Sequence, residues 1–289
     1  MMDNKWIFIK VGEKMEPYQM SNQIFKDISQ WIYKEIGLKL TEKKKAMVKA
    51  RLTKRLIELK INSFEEYYQL AICCENEKCE LINLLTTNVT KFFRENYHFR
   101  FLEERILPKL KSNSKQNKIR IWSAGCSTGE EAYSLAIVLN EFFTKGWDIK
   151  ILATDINTDV LKKGARGIYS CCELDKLSPV LVDKYFKRLN SSGKSYYQVR
   201  EGLRKQVIFK KLNLKQAKLY QINSSLDLIF CRNVFIYFDD NVKQEILNFF
   251  YNNLKERQYL FLGNSDSIDH IVHSDKKWNL VYPTTYQKL

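Results

Sequence analysis

Glu130 and Glu131 open a helix directly after Gly125-Cys-Ser-Thr-Gly129, a polar turn that follows the apolar stretch Ile119–Ala124. A strand, a glycine turn and a helix start bring backbone N–H groups and a positive helix end to one edge. Two carboxylates at that edge repel a phosphate and suit a ligand carrying hydroxyl or amino donors. Asp155 closes the next apolar stretch, Ile149–Thr154. At that place in a doubly wound sheet an acid accepts hydrogen bonds from ribose hydroxyls. The competing reading is a helix N-cap, although Asn157 and Thr158 are placed to cap the same helix. Arg232 and Asn233 follow a third apolar strand, Leu226–Cys231, and so mark a ligand edge as well. Thr90 and Arg94 lie one helical turn apart, a pairing able to hold a carboxylate.

What is missing narrows the chemistry. There is no Gly-x-Gly-x-x-Gly, and Gly125-x-x-x-Gly129 followed by two Glu is not a phosphate loop. No Ser/His/Asp set is evident. His98, His270 and His273 fall outside the strand-end cluster and read as surface histidines, so no metal site is expected. An acid-lined nucleoside pocket without a phosphate clamp favours S-adenosylmethionine over NAD or ATP. Methyl transfer from a sulfonium is a direct displacement. A carboxylate acceptor is already ionised at neutral pH, since glutamate titrates at about 4.3, and needs no general base. Alignment and desolvation then carry the catalysis.

The elements that must position these residues follow from patterning. The 289 residues are 45% apolar, with 10 Gly and 4 Pro, enough for a core without long flexible linkers. Residues 1–20 form a leader of unknown structure, with Trp6–Ile9 a possible stray strand. Residues 21–88 read as an all-helical domain. Ile24, Ile28, Ile32 and Ile36 recur every four residues up to Gly37, Thr41 precedes a helix from Glu42 to Leu59, Ser63 caps a third, and Glu77–Leu85 makes a fourth. Residues 89–118 are a linker helix, ending at Pro108, and a polar loop. Residues 119–289 alternate strand and helix. Within them Tyr196–Arg200 and Val207–Leu212 read as an antiparallel excursion around Glu201-Gly202, a β-subdomain of about residues 190–212. Leu280–Tyr286 is a candidate last strand. The expected fold is α/β: a doubly wound class I methyltransferase-like sheet with a small antiparallel β-subdomain insert and an all-α N-terminal domain.

Charge points to a partner. The chain carries 48 Lys+Arg against 33 Asp+Glu, a net +15, which implies nucleic acid, a membrane surface or an acidic protein. From Lys43 to Arg55 there is no acidic residue, and Lys44, Arg51, Lys54 and Arg55 flank the apolar face of the second helix. That run is either a solvated surface or a docking face for an acidic helix, and the overall charge favours docking. The 7 cysteines, without Cys-x-x-Cys, fit a reduced cytoplasmic protein. No apolar run near the start is long enough for a signal peptide or a membrane span.

Five ordered motifs resemble those of the CheR-type chemotaxis methyltransferases. They are Thr87-Asn-Val-Thr-Lys-Phe-Phe-Arg-Glu95, Trp122-Ser-Ala-Gly-Cys-Ser-Thr-Gly-Glu-Glu-Ala-Tyr-Ser134, Ala153-Thr-Asp-Ile-Asn157, Ile229-Phe-Cys-Arg-Asn-Val-Phe-Ile-Tyr-Phe-Asp239 and Leu262-Gly-Asn-Ser-Asp-Ser267. The similarity runs from about residue 20 to the end. It implies methyl ester formation on glutamate side chains of chemoreceptor cytoplasmic helices, with S-adenosyl-L-methionine as donor and S-adenosyl-L-homocysteine as product. Carried over by motif, Asn88, Thr90 and Arg94 reach the cofactor and acceptor site, and Glu131 rather than Glu130 binds the cofactor. Asp155 holds the ribose, and Asn213 and Leu214 flank the adenine. Arg232 and Asn233 meet the methionine end, and Tyr237 lies near the transferred methyl. Arg94 and Tyr237 are the catalytic candidates. Cys126, Ala132, Asn264 and Asp266 depart from the commoner residues of the family, without removing a proposed ligand. The expected protein is a monomer that binds receptor helices, not nucleic acid, and does not insert into the membrane. Two other readings remain. A nucleic-acid methyltransferase follows from charge alone, but Lys43–Arg55 lacks the aromatic platforms it would want. A non-catalytic receptor-binding module is disfavoured by the intact Arg94, Glu131, Asp155 and Asn213.

Overall fold

A computed structural model describes residues 18–114, 116–143, 145–191, 194–222, 225–266, 268, 271 and 276–289. The Trp6–Ile9 stretch and nearly all of the leader, His270, His273, Ser267 and the tip of the 190–193 turn lie outside the described residues.

The N-terminal part is a four-helix unit. Helix α1 (Asn22–Ile36) buries Ile24, Phe25, Ile28, Ile32 and Ile36; the Ser21 hydroxyl caps its start and Gly37, at φ 76°, ends it. The helix expected from Glu42 instead begins with a 3-10 turn, Glu42–Lys44, and Thr41 makes no side-chain cap bond. Helix α2 proper is Lys45–Leu59, with Val48, Leu52 and Leu56 inward. Helix α3 (Phe64–Cys73) is capped by Ser63 and α4 is Glu75–Leu85. Their apolar faces form one core, from Met20 to Leu85.

The connection to the sheet is helical for longer than expected. Helix α5 (Tyr97–Phe101) passes through a π-turn, Leu102–Ile106, into α6 (Leu107–Asn113). Pro108 does not stop this helix, because it falls in the first turn after the π-turn, where its missing N–H is not needed.

The remainder alternates strand and helix: β1 (Lys118–Ala124), α7 (Glu130–Phe142), β2 (Asp148–Asp155), α8 (Thr158–Arg166), β3 (Ile168–Ser170), α9 (Pro179–Tyr185), β4 (Phe186–Ser191), β5 (Lys194–Val199), α10 (Glu201–Arg204), β6 (Val207–Lys211), β7 (Leu226–Cys231), α11 (Asp240–Asn253), β8 (Leu254–Leu262), β9 (Trp278–Tyr282) and β10 (Thr285–Lys288). The main sheet has the order β6-β2-β1-β7-β8-β10-β9. Strands β6 to β8 of that order are parallel, and β10 and β9 are antiparallel. Helix α7 and the Tyr97–Asn113 helix cover one face and α11 the other, so central strands are apolar on both sides, as Ile121 and Trp122 of β1 illustrate.

Four sequence expectations differ from the structure here. Val207–Leu212 is not a strand of the small subdomain: β6 pairs in parallel with β2, at the edge of the main sheet. The supposed turn at Glu201-Gly202 is the one-turn helix α10, which buries Leu203 and carries the chain back to the sheet. The β-subdomain is the three-stranded sheet β3-β5-β4, and it starts earlier than expected, at Ile168. The stretch Leu280–Tyr286 is not one strand but most of the hairpin β9–β10, reversed at Thr284 with φ 49°.

Candidate active site

The order of the sheet reverses direction between β1 and β7, and the crevice at such a switch point is where an open α/β sheet holds its ligand. The loops after β1, β2 and β7 meet there. Gly125 sits at φ 80°, and a Cβ on it would come within 2.4 Å of the Val234 side chain. Its N–H and that of Cys126 both donate to the Thr154 carbonyl at the end of β2, at 2.8 and 2.9 Å. Ser127, at φ 49°, donates its N–H to Asp155 Oδ2 at 2.9 Å and its hydroxyl to the Asn88 carbonyl at 2.8 Å. The other Asp155 oxygen accepts the Asn157 N–H at 2.9 Å. Asn157 itself caps α8, so Asp155 is not the helix cap. Burial pushes the Asp155 carboxyl above its ordinary range, against the pull of these N–H groups.

The two glutamates at the start of α7 part company. Glu130 turns to Thr128, accepting its hydroxyl at 2.7 Å. Glu131 faces the crevice, accepts the Ser123 hydroxyl at 2.6 Å and pairs with Arg232 at 3.3 Å. Burial raises the Glu131 carboxyl, with the Arg232 charge opposing. Arg232 leaves the end of β7 with only 2% of its side chain exposed. It joins Glu131 to Glu95 at 3.0 Å and donates to the Arg94 carbonyl, while its Nε has no acceptor among the described residues. Asn233, at φ 60°, lies against Gly263, where a Cβ would meet its Nδ2 at 2.4 Å. Its backbone N–H is held by Asp266, which also accepts from Gly263 and Ile236.

The third wall comes from the strap joining α4 to α5 and from the end of α1. Arg94 donates to the Val89 carbonyl at 2.8 Å, and the rest of its guanidinium meets no protein acceptor among the described residues. Asn213 bridges the domains, donating to the Glu35 carbonyl at 2.8 Å and accepting the Lys215 N–H at 3.1 Å. Tyr237 is half-buried and its phenol is pushed up by burial. Asn88, Thr90, Arg94, Glu131, Asp155, Asn213, Leu214, Arg232, Asn233 and Tyr237 all line one cavity.

The partner-face residues divide. Lys54 is exposed, and Lys44 lies 5.3 Å over the Tyr237 ring, at the cavity rim. Arg51 and Arg55, expected on the docking face, are half-buried and engaged within the N-terminal helices. Arg51 donates to the Leu84 and Thr86 carbonyls at 2.9 and 2.8 Å. Arg55 makes a two-pronged pair with Glu77 at 2.8 and 2.7 Å. Both tie α2 to α4, because that neighbour leaves carbonyls and a buried acid facing them. His98 is likewise not on the surface. It is fully buried, its Nε2 reaches Thr284 Oγ1 at 3.0 Å, and its Nδ1 is 3.7 Å from Glu95.

Comparison with known proteins decides the family. A family model described as the SAM-binding domain of CheR methyltransferases matches residues 88–282, and one described as their all-alpha domain matches residues 23–86. The chain belongs to the CheR methyltransferase family. A chemotaxis protein methyltransferase of Borreliella burgdorferi is 41% identical over 265 residues, covering 89% of this chain and 91% of that protein. One of Escherichia coli is 38% identical, covering 94% and 92%.

As a CheR methyltransferase, the protein binds S-adenosylmethionine, and the crevice fits that molecule. Asp155 and Glu131 offer acceptors, Arg232 Nε is a buried donor with no protein acceptor among the described residues, and Ile156, Leu212 and Leu214 supply an apolar wall. No lysine, arginine or glycine array of a phosphate clamp stands at Gly125–Gly129. Three residues of the site escaped sequence reasoning. Glu95 and Ser127 lie inside quoted motifs but carry no signal beyond polarity. Asp266 was visible as a family departure; its role depends on three N–H groups that only the fold brings to it. Among the described residues no helix is long and apolar enough to cross a membrane.

Proposed function

We propose that this chain moves a methyl group from S-adenosylmethionine to glutamate carboxylates on chemoreceptor cytoplasmic helices, leaving S-adenosylhomocysteine and a glutamate methyl ester. The observation that carries this reading is that, among the described residues, no histidine and no unengaged carboxylate lines the cavity. Glu131 is paired with Arg232, and the Asp155 oxygens hold two backbone N–H groups. The Cys126 thiol and the Tyr237 phenol are both pushed up by burial. A hydroxyl or amine acceptor would need a base to take its proton, whereas a carboxylate arrives ionised.

When bound, S-adenosylmethionine supplies an electrophilic methyl on a sulfonium. The chain's residues divide the remaining work. Asp155 accepts the ribose hydroxyls, and Asn213 and Leu214 flank the adenine. Glu131, Arg232, Asn233, Asn88 and Thr90 hold the methionine end. Arg94, whose guanidinium is largely uncommitted, reaches both the cofactor and the acceptor carboxylate, and Tyr237 walls the transfer position. Lys44 and Lys54 face the acidic receptor helix, and the protein works as a cytoplasmic monomer.

The test is incubation with methyl-labelled S-adenosylmethionine and receptor cytoplasmic fragments in which candidate glutamates are replaced by alanine. Label is expected to disappear with the glutamates. Label that persists on a fragment stripped of them contradicts the reading.

A further inference from the structure

The bend that carries Arg94 is unusual. Phe93 and Glu95, on either side of it, both sit at left-handed φ, 51° and 54°. Non-glycine residues adopt this region rarely, and two flanking one residue need to be held there by their surroundings. Holding comes from three directions. The Phe93 N–H donates to the Ser134 hydroxyl at 3.0 Å. Arg232 donates to the Arg94 carbonyl. The Glu95 carboxylate gathers the most: Arg232 Nη2 at 3.0 Å, Asn233 Nδ2 at 3.2 Å and the Asn264 N–H at 3.2 Å.

Glu95 does not line the cavity, yet three residues that do are tied to it or to its peptide neighbour. Only 11% of its side chain is exposed. Burial alone would raise its carboxyl, but the Arg232 charge and the converging donors outweigh burial and hold it below the ordinary range. It is therefore an anion under the conditions in which the protein works, and it anchors the Arg232 guanidinium from the side opposite Glu131.

We propose that Glu95 is a positioning residue for the cofactor cavity. Through Arg232 and Asn233, and through the bend it terminates, it fixes where Arg94, Arg232 and Asn233 point, without touching the cofactor itself. The inference rests on the binding site, not on the identity of the methyl acceptor, so its test reads affinity for S-adenosylhomocysteine.

The experiment is calorimetric titration with S-adenosylhomocysteine, well below the melting temperature of each protein, for the native chain, Glu95→Gln, Glu95→Asp, Arg94→Ala and Arg94→Ala/Glu95→Gln. Glu95→Gln keeps the shape and removes the charge, and is expected to weaken binding by about tenfold, with Glu95→Asp recovering most of the loss. The cost of Glu95→Gln is expected to shrink in the Arg94→Ala background, since residues that act as a unit do not add. If Glu95→Gln does not fold, Asn233→Ala, which removes one of the side chains Glu95 holds, is measured in its place and is expected to weaken binding in the native background. Native affinity in a Glu95→Gln protein that melts earlier would make the residue merely structural and overturn the proposal. An equal cost with and without the Arg94 side chain would overturn the link to Arg94.

Discussion

Replacing Asp155 by asparagine removes one carboxylate acceptor and the charge while keeping the side chain's size. A hydrogen bond to a charged group contributes about 1.5–3 kcal/mol. A ribose diol presents two hydroxyls to the carboxylate. With asparagine one of these loses its acceptor and the other faces a neutral oxygen, so a loss of about 3 kcal/mol is expected, or about a hundredfold in affinity. Asp155 also accepts the Ser127 and Asn157 N–H groups, so the variant will melt earlier. The assay is therefore calorimetric titration with S-adenosylhomocysteine at a temperature where both proteins are folded. The raised carboxyl adds a second signature. The ionised form binds, so native affinity falls as pH drops through that raised value, and the asparagine variant keeps only the part of this limb that comes from the Glu131 carboxyl, which burial also raises. Affinity unchanged within about twofold, or an identical acid limb in the variant, would refute the assignment of Asp155 to the ribose.

Two other consequences follow from buried groups. His98 is held neutral, its ordinary value of 6.5 pushed down to about 4 first by burial and then by the Arg232 charge, against the opposing Pro283 carbonyl and Glu95. Between those values the unfolded chain takes up a proton that the native state refuses, so stability falls as pH drops through that window, by about 3 kcal/mol. His98→Gln should flatten this limb in denaturant titrations from pH 7 to 4, and an equally steep loss in the variant would show that another group is responsible. Arg55→Ala should cost about 3–5 kcal/mol in chemical denaturation, because it strands the buried Glu77 carboxylate, while leaving affinity for S-adenosylhomocysteine within about twofold. Native stability in that variant would show that the Arg55–Glu77 pair does not hold α2 to α4.

The parts of the fold that local chemistry dictates were legible in the sequence. The Gly125–Glu131 turn needs glycine at positive φ and ends in a carboxylate, and both are visible as residue types. Gly37 announced the end of α1 in the same way. Relations across the fold were not legible. Alternation in Val207–Leu212 marks a strand but not its partner, and nothing local says that it joins β2 in parallel. The basic wheel of α2 shows which arginines are adjacent; it cannot show that Glu77 and the Leu84 and Thr86 carbonyls lie opposite. A histidine reads as a surface residue until the β9–β10 hairpin supplies Pro283 and Thr284 to satisfy it. Glu95 is the clearest such case, because its donors come from the turn after β7 and from the loop after β8.

Receptor cytoplasmic fragments incubated with the protein and methyl-labelled S-adenosylmethionine should carry label that mild alkali releases as methanol, as carboxyl methyl esters require. Label on the receptor that survives alkali, or label recovered on nucleic acid, would contradict the account.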